Sequence, residues 1–401
     1  MVDNSYKYTC IFGGGAIRGV SYVGALKALD EMGIVSDTIA GSSVGAIIAG
    51  MRSVGYTPEE MKDIFENVNY DLFRDIHFGL GKTFALSKGE VFLDWIREII
   101  EKKFYGNDYQ KGKNPTVKFK DIDKNLVIIT TDLTNFSCKE FSKFETPDFE
   151  IATAIRISSS MPGLMTSINF EGSELVDGDL QKSWPLWKLS KNLCSTDERI
   201  LEFRLEGDYD SNGKNAIDYL NTVYSCVTSI ATKSIVENYG NRDKYDYITI
   251  NTGEVLIVDF NLPKEKREDL MKIGYKQTME HFKTFLPNKK EKLIKYYSNI
   301  RNGIKKVVKE LSTYNVQQAK VELGLIYMEL CETKDVIDKK YYEKLQSAKF
   351  RFLNELKPSR LFRKYSYAKI RSINEDFKQI EKSLKNRIDE LKKYNENFLI
   401  K

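Results

Sequence analysis

The chain has 401 residues, 41% of them hydrophobic and 30% charged, with 62 lysines and arginines, 57 aspartates and glutamates and a net charge of +5. That length is comfortable for two domains with buried cores, and no run of about 18 or more apolar residues is present to suggest a membrane span. The start, Met1-Val2-Asp3-Asn4-Ser5-Tyr6-Lys7, lacks a secretory pattern, and the five cysteines (Cys10, Cys138, Cys194, Cys226, Cys331) form no Cys-x-x-Cys pair; a zinc site, a disulfide framework and a signal peptide are therefore not expected, and a reducing, cytoplasmic setting is.

Residues 8–12, Tyr-Thr-Cys-Ile-Phe, read as a buried first strand that runs into Gly13-Gly14-Gly15-Ala16-Ile17-Arg18-Gly19 and then an amphipathic helix through Leu29. A glycine-rich turn between strand and helix presents several backbone N–H groups in one direction. Arg18 stands where a dinucleotide loop would need its last glycine, and Val20 where a P-loop would need its lysine. An oxyanion hole needs the same geometry without either residue.

Residues 38–50 read as a short strand, a sharp turn and the start of a helix, and Gly41-Ser42-Ser43-Val44-Gly45 matches the Gly-x-Ser-x-Gly nucleophile elbow. Glycines two residues either side let the backbone fold tightly while the Ser43 hydroxyl stays exposed beside a helix N-terminus, whose partial positive charge favours an anion. Thr57, Pro58 and Glu60 then spell N-cap, first helical position and capping box of the next helix. The stretch 70–120 mixes helical segments with glycine and aromatic residues, in the manner of an irregular insert over a lipase site.

Asn125 to Asp132 is a strong buried strand, Lys139 to Phe144 its expected neighbour, and Phe149 to Ser158 a helix that ends in the turn Ser159-Ser160-Met161-Pro162-Gly163. Glu174-Leu175-Val176-Asp177-Gly178-Asp179 is a strand closing on an Asp-Gly turn, which sets a carboxylate at a strand end. Strands at 199–205 and 245–251 and helices at about 215–239 and 264–286 complete an α/β layout.

The glycine loop, the elbow and Asp177-Gly178-Asp179, in that order, resemble the patatin-like phospholipase family over about residues 6–286. Ser159-Ser160-Met161-Pro162-Gly163 resembles the family's stretch ahead of its aspartate, and Pro185 sits where the family has a proline. The resemblance implies a three-layer αβα sheet domain and a Ser-Asp dyad of Ser43 and Asp177. It further implies an oxyanion hole around Gly13, Gly14 and Gly15 supported by Arg18, an elbow framed by Gly41 and Gly45, and no cofactor or metal. Two positions depart from the family pattern: Asp179 replaces the usual Gly or Ala, and Ser183 the common Asn. A Ser-His-Asp triad is the rival, because the order Ser43, Asp177, His281 suits an α/β-hydrolase; the other histidine is His77.

Beyond Pro287 the texture changes. Residues 288–401 carry 28 basic against 15 acidic residues, a net of +13, whereas residues 1–287 carry 34 against 42, a net of −8. Leu293, Tyr297, Ile300, Ile304, Val307, Leu311 and Tyr314, and again Ile370, Ile373, Phe377, Ile380, Leu384, Ile388 and Leu391, alternate steps of three and four, which is coiled-coil-like. Two more helices fill 316–357, ending at Lys357-Pro358-Ser359. The reading is thus an acyl hydrolase domain over 1–287 and a basic, all-α helical region over 288–401. The first acts on membrane phospholipid or lysophospholipid esters; the second packs on itself or the body, makes a homo-oligomer, or makes peripheral contact with an anionic membrane. No nucleic-acid motif is present, and secretion as an effector stays open. The alternative from another class is a catalytically weak scaffold or partner-binding protein that works through its helices.

Overall fold

Apolar residues at alternating and at three-four spacing sort the chain into a sheet-bearing unit and a helical one. The computed structural model describes residues 7–69, 85–181, 199–207, 219, 222–230, 233, 242–256, 259, 261–333, 336–357 and 365–398. Readings that fall on His77, Ser183, Pro185, Cys194 or the Pro358-Ser359 break lie outside the described residues. The two compact units are Met1–Val236 with Tyr245–Met279, and Glu237–Lys244 with Glu280–Lys401.

In the first unit β1 (Lys7–Phe12) enters the glycine turn, a 3-10 turn (Ala16–Val20) and α1 (Ser21–Glu31). β2 (Val35–Gly41), α2 (Val44–Ser53) and α3 (Pro58–Asn67) follow. The capping box forms as its residues dictate: the Glu60 N–H donates to Thr57 Oγ1 at 3.2 Å and the Thr57 N–H to Glu60 Oε2 at 2.8 Å, satisfying two orphan donors of α3. In the described part of the 70–120 stretch, of which 70–84 lie outside the described residues, the chain builds β3 (Ala85–Ser87), the regular 16-residue helix α4 (Glu90–Tyr105) and then short 3-10 turns. The reason for the helix is periodicity: Phe92, Ile96, Ile99 and Ile100 share one buried face.

β4 (Asn125–Asp132) and β5 (Ser137–Ser142) form an antiparallel pair, followed by α5 (Ile151–Ser158). β6 (Gly163–Met165), β7 (Ile168–Phe170), β8 (Ser173–Asp177), β9 (Arg199–Glu206), β10 (Tyr245–Asn251) and α6 (Lys264–Glu280) complete the unit. Of the helix expected at 215–239, residues 219, 222–230 and 233 are described, and all are helical. Among the described residues, an eight-stranded mixed sheet runs in the order β10-β9-β1-β2-β4-β8-β7, with β5 also paired to β4. Its β10-to-β4 part is parallel, and β5, β8 and β7 run antiparallel to their neighbours. β9 and β10 carry charges inward: Arg199 pairs with Asp246 at 3.0 Å and Arg204 with Glu202 at 2.8 Å, while the Tyr245 hydroxyl also donates to Glu202. Each buried charge has a counter-charge and further hydrogen bonds that offset part of its desolvation cost.

In the second unit the π-helical turn His281–Phe285 leads into α7 (Leu286–Ser312), α8 (Val316–Thr333), α9 (Lys339–Glu355) and α10 (Tyr367–Phe398). Both expected apolar series are buried in a single core, apart from Tyr314 at the end of the first, which is exposed. The chain is thus an α/β domain followed by an all-α region. Among the described residues no helix is long and apolar enough to cross a membrane. A buried ionic cluster pins Asp243 into the helical unit. Arg387 grips Asp243 with two bonds of 3.0 and 2.7 Å, and the Tyr297 hydroxyl donates to the same carboxylate at 2.7 Å. Removing one partner strands a fully buried charge, so Arg387→Ala should lower unfolding free energy by about 3 kcal/mol in urea titrations of the full chain. A loss below about 1 kcal/mol, the range of surface pairs, would show the cluster to be incidental.

Candidate active site

The two candidate reactive side chains come from strands that share one edge of β4. Ile128 faces both Gly41 of β2 and Phe141 of β5, and Thr130 faces both Asp177 of β8 and Lys139 of β5. β5 therefore fills one edge, and β2 and β8 meet end to end along the other with only Ile129 between them. The Ile129 carbonyl accepts from Ser158 Oγ at 2.5 Å, and Ser158 Oγ in turn accepts from the Ser43 N–H at 3.0 Å. Gly178 fits over the same gap, since a Cβ there would lie 2.2 Å from the Ile129 oxygen.

The elbow has the strained geometry that its spacing predicts. Ser43 has φ 52° and ψ −127°, a region a non-glycine residue enters only when its surroundings enforce it, at a cost of order 1–3 kcal/mol. Close crossing of strand and helix enforces it: a Cβ on Gly41 would sit 2.1 Å from the Gly45 oxygen, and one on Gly45 would sit 2.0 Å from the Phe12 oxygen. The Ser42 N–H donates to the Phe12 carbonyl at 3.1 Å, which ties the elbow to the end of β1.

The members of the glycine loop differ in what they do. The Gly13 N–H bonds to the Phe203 carbonyl at 3.0 Å and so extends the sheet. Gly14 lies over the elbow, where an added Cβ would come 2.8 Å from Ser43 Cβ. Gly15, at φ 148°, and Ala16, at φ 46°, turn the chain into the 3-10 segment. Arg18 is buried, and its Nε donates to the Val255 carbonyl at 2.5 Å, holding the loop to the turn after β10.

Asp177 is almost wholly buried. Its Oδ1 accepts from the Asp179 N–H at 2.8 Å and the Tyr224 hydroxyl at 2.9 Å, whereas Oδ2 has no completed hydrogen bond. Burial, and next the charge of Asp179, push its carboxyl up to about 7. The Asp179 N–H, the Ser43 hydroxyl and the Tyr224 hydroxyl act the other way, Ser43 as a close neighbour short of a formed bond. Asp179, which sequence reasoning left either to perturb Asp177 or to face solvent, is buried and accepts from the Gly14 N–H at 2.9 Å and from the Ser42 hydroxyl.

Three residues at this site went unnoticed in the sequence. Tyr224 sits in a helix with no motif. Ser158 and Arg156 lie in α5, whose apolar pattern looks like ordinary core. The buried Arg156 bonds to Ser160 and to the carbonyls of Lys88, Gly89 and Thr166, and so fixes the turn whose Ser160 carbonyl receives the Asp177 N–H at 3.0 Å. A buried arginine four residues before a serine-rich turn was the available signal. His281 belongs to the helical unit, where it packs against Phe282 and Phe285.

Comparison with known proteins agrees with this architecture. Residues 10–187 match the family model of patatin-like phospholipases. The uncharacterised protein R571 of Acanthamoeba polyphaga mimivirus is 30% identical over 279 residues, 67% of this chain and 91% of R571. The probable lipid hydrolase 463L of Invertebrate iridescent virus 6 is 28% identical over 187 residues, 45% of this chain and 62% of that protein. The crystal structure of VipD from Legionella pneumophila shares the fold at a TM-score of 0.51 and 17% identity, covering 98% of this chain and 90% of VipD. The chain belongs to the patatin-like phospholipase family.

A carboxyl near about 7 is protonated below neutrality, so if Asp177 is the base for Ser43, labelling of Ser43 by a fluorophosphonate should rise with pH around that value. Tyr224→Phe removes a bond that favours the ionised form. It should move the midpoint upward by roughly 0.5–1 pH unit. A wild-type midpoint near that of a free carboxylate would contradict the assignment of Asp177 as the base.

Proposed function

We propose that the protein is a lipid acyl hydrolase of the phospholipase A or lysophospholipase type, in which Ser43 is the nucleophile and Asp177 its base. The observation that carries this reading is the end-to-end meeting of β2 and β8, with Asp177 Oδ2 buried, unbonded and next to the elbow. As the Ser43 oxygen bonds to the ester carbonyl carbon, its proton passes to Asp177 and the carbonyl pair becomes an oxyanion facing the glycine loop. Collapse breaks the ester C–O bond, and the proton on Asp177 goes to the departing alcohol. Water then gives a proton to Asp177 and its oxygen to the acyl carbon. The second collapse releases the fatty acid and returns a proton to Ser43.

A lipid substrate is supported by apolar surroundings. Met161 and the ring of Tyr224 form a small cluster with Ala16, Leu164 and Leu180 around the residues that hold Asp177, a surface suited to an acyl chain. The helix that bears Tyr224 exposes Tyr219, Val223, Val227 and Ile230, and its sequence from 219 to 232 has no charged residue. That face fits a phospholipid surface, and the +13 charge of residues 288–401 adds attraction to anionic headgroups. The hydrolase domain is assigned to 1–287, with a cytoplasmic location and peripheral membrane contact or self-association through the helical region. The name of the viral relative, probable lipid hydrolase 463L, is consistent with this class of substrate.

One observation favours the second reading, a catalytically weak scaffold: the Asp179 carboxylate lies on the Gly14 N–H. Fatty-acid release from phospholipid vesicles separates the two. Ser43→Ala and Asp177→Asn should each abolish release while keeping the thermal transition, and His281→Ala should retain it. Activity surviving in Ser43→Ala would end the serine mechanism.

A further inference from the structure

Gly14 is the glycine of the loop that lies over Ser43, and its N–H already has an anion. Asp179 Oδ1 accepts that N–H at 2.9 Å and the Ser42 hydroxyl as well. An oxyanion is held by donors about 2.7–3.1 Å away, the same shell in which Oδ1 now sits. The other carboxylate oxygen closes the remaining space, since a Cβ on Gly14 would come 2.2 Å from Asp179 Oδ2 and 2.8 Å from Ser43 Cβ. The carboxylate and the nucleophile therefore lie on the same side of the loop. A negatively charged tetrahedral intermediate on Ser43 would meet both a filled donor and a like charge.

We propose that Asp179 is a tethered occupant of the oxyanion cradle, and that acyl transfer requires this carboxylate to swing off the Gly14 N–H. Asp179 then sets a low resting rate for the reaction, and the enzyme is latent until an acyl group or a bound surface displaces it. This rests on the hydrolase reading above and deepens it. The raised pKa of Asp177, caused in part by Asp179, fits the same arrangement: two carboxyl groups are held together where the family pattern has one. The backbone is anchored separately from the side chain: the Asp179 N–H bonds to Asp177 Oδ1 and keeps the turn in place when the carboxylate moves.

The test compares full-length wild type, Asp179→Gly, Asp179→Asn and Ser42→Ala. Readouts are hydrolysis of a short-chain p-nitrophenyl ester, fluorophosphonate labelling of Ser43, and inhibition by a trifluoromethyl ketone, which forms a charged tetrahedral adduct. Asp179→Gly should raise kcat/KM and tighten the ketone by roughly tenfold or more, within the about 10²–10³ that one oxyanion donor contributes. Asp179→Asn keeps an acceptor oxygen on Gly14 without the charge and should gain less. Ser42→Ala loosens the carboxylate without removing it and should also gain less. A purely structural clamp predicts the reverse, lower activity together with a lower thermal midpoint. If Asp179→Gly does not fold, a gain in either of the other two variants supports the proposal, and no gain in both overturns it. Wild-type activity with a folded Asp179→Gly that is no faster overturns the proposal alone. Silence of Ser43 toward the probe in every variant overturns the hydrolase reading and the proposal with it.

Discussion

One edge of β4 accommodates two strands. β2 arrives parallel and stops opposite Ile128, and β8 arrives antiparallel and stops opposite Thr130. Because neither strand can run past the other, both chains must turn away at the same place, one as the serine elbow and the other as the Asp-Gly turn. Ile129 between them would have an unsatisfied carbonyl, a costly thing in a buried sheet, and Ser158 supplies the donor. The same hydroxyl receives the Ser43 N–H, so the bond that repairs the sheet also orients the elbow.

The site concentrates features that oppose stability. Ser43 adopts a strained backbone conformation, Asp177 and Asp179 bury two carboxyl groups within one turn, and Asp177 Oδ2 has no completed hydrogen bond. Such strain persists only when the surroundings over-determine it. Here they do: the crossing of Gly41 and Gly45 against neighbouring carbonyls leaves no alternative path, and Arg156 locks the turn behind Asp177 through bonds to three separate carbonyls. Arg18 has the equivalent task on the glycine loop.

The helical unit is simpler in its physics. Three-four spacing gives each long helix one continuous apolar face, and the faces close on a common core. What makes the packing specific is polar: the Asp243 carboxylate, held by Arg387 and Tyr297, brings a short segment from before β10 into the helices. The lysines that dominate the composition stay mostly outside this core. Lys290 is an exception, buried on α7.

Much of this was legible from residue order. Strand and helix positions followed from periodicity, the α3 cap from three residues, the elbow from its glycines, and the two helical series from their spacing, because each is decided by neighbours within a turn or two. The missed elements obey the same rule from the other side. The bounds of α4 were obscured by flanking glycines and aromatic residues, Ser158 and Tyr224 have no local signature, and Arg156 has only its place before a serine-rich turn, since their partners lie at residues 88–89, 129 and 177. The sequence alone determined which residues are chemically able to act, and that Asp179 departs from the family pattern. Only the tertiary structure decided that this carboxylate faces Gly14 rather than solvent, because a hydrogen bond spanning 165 positions depends on where the ends of β1, β2 and β8 converge.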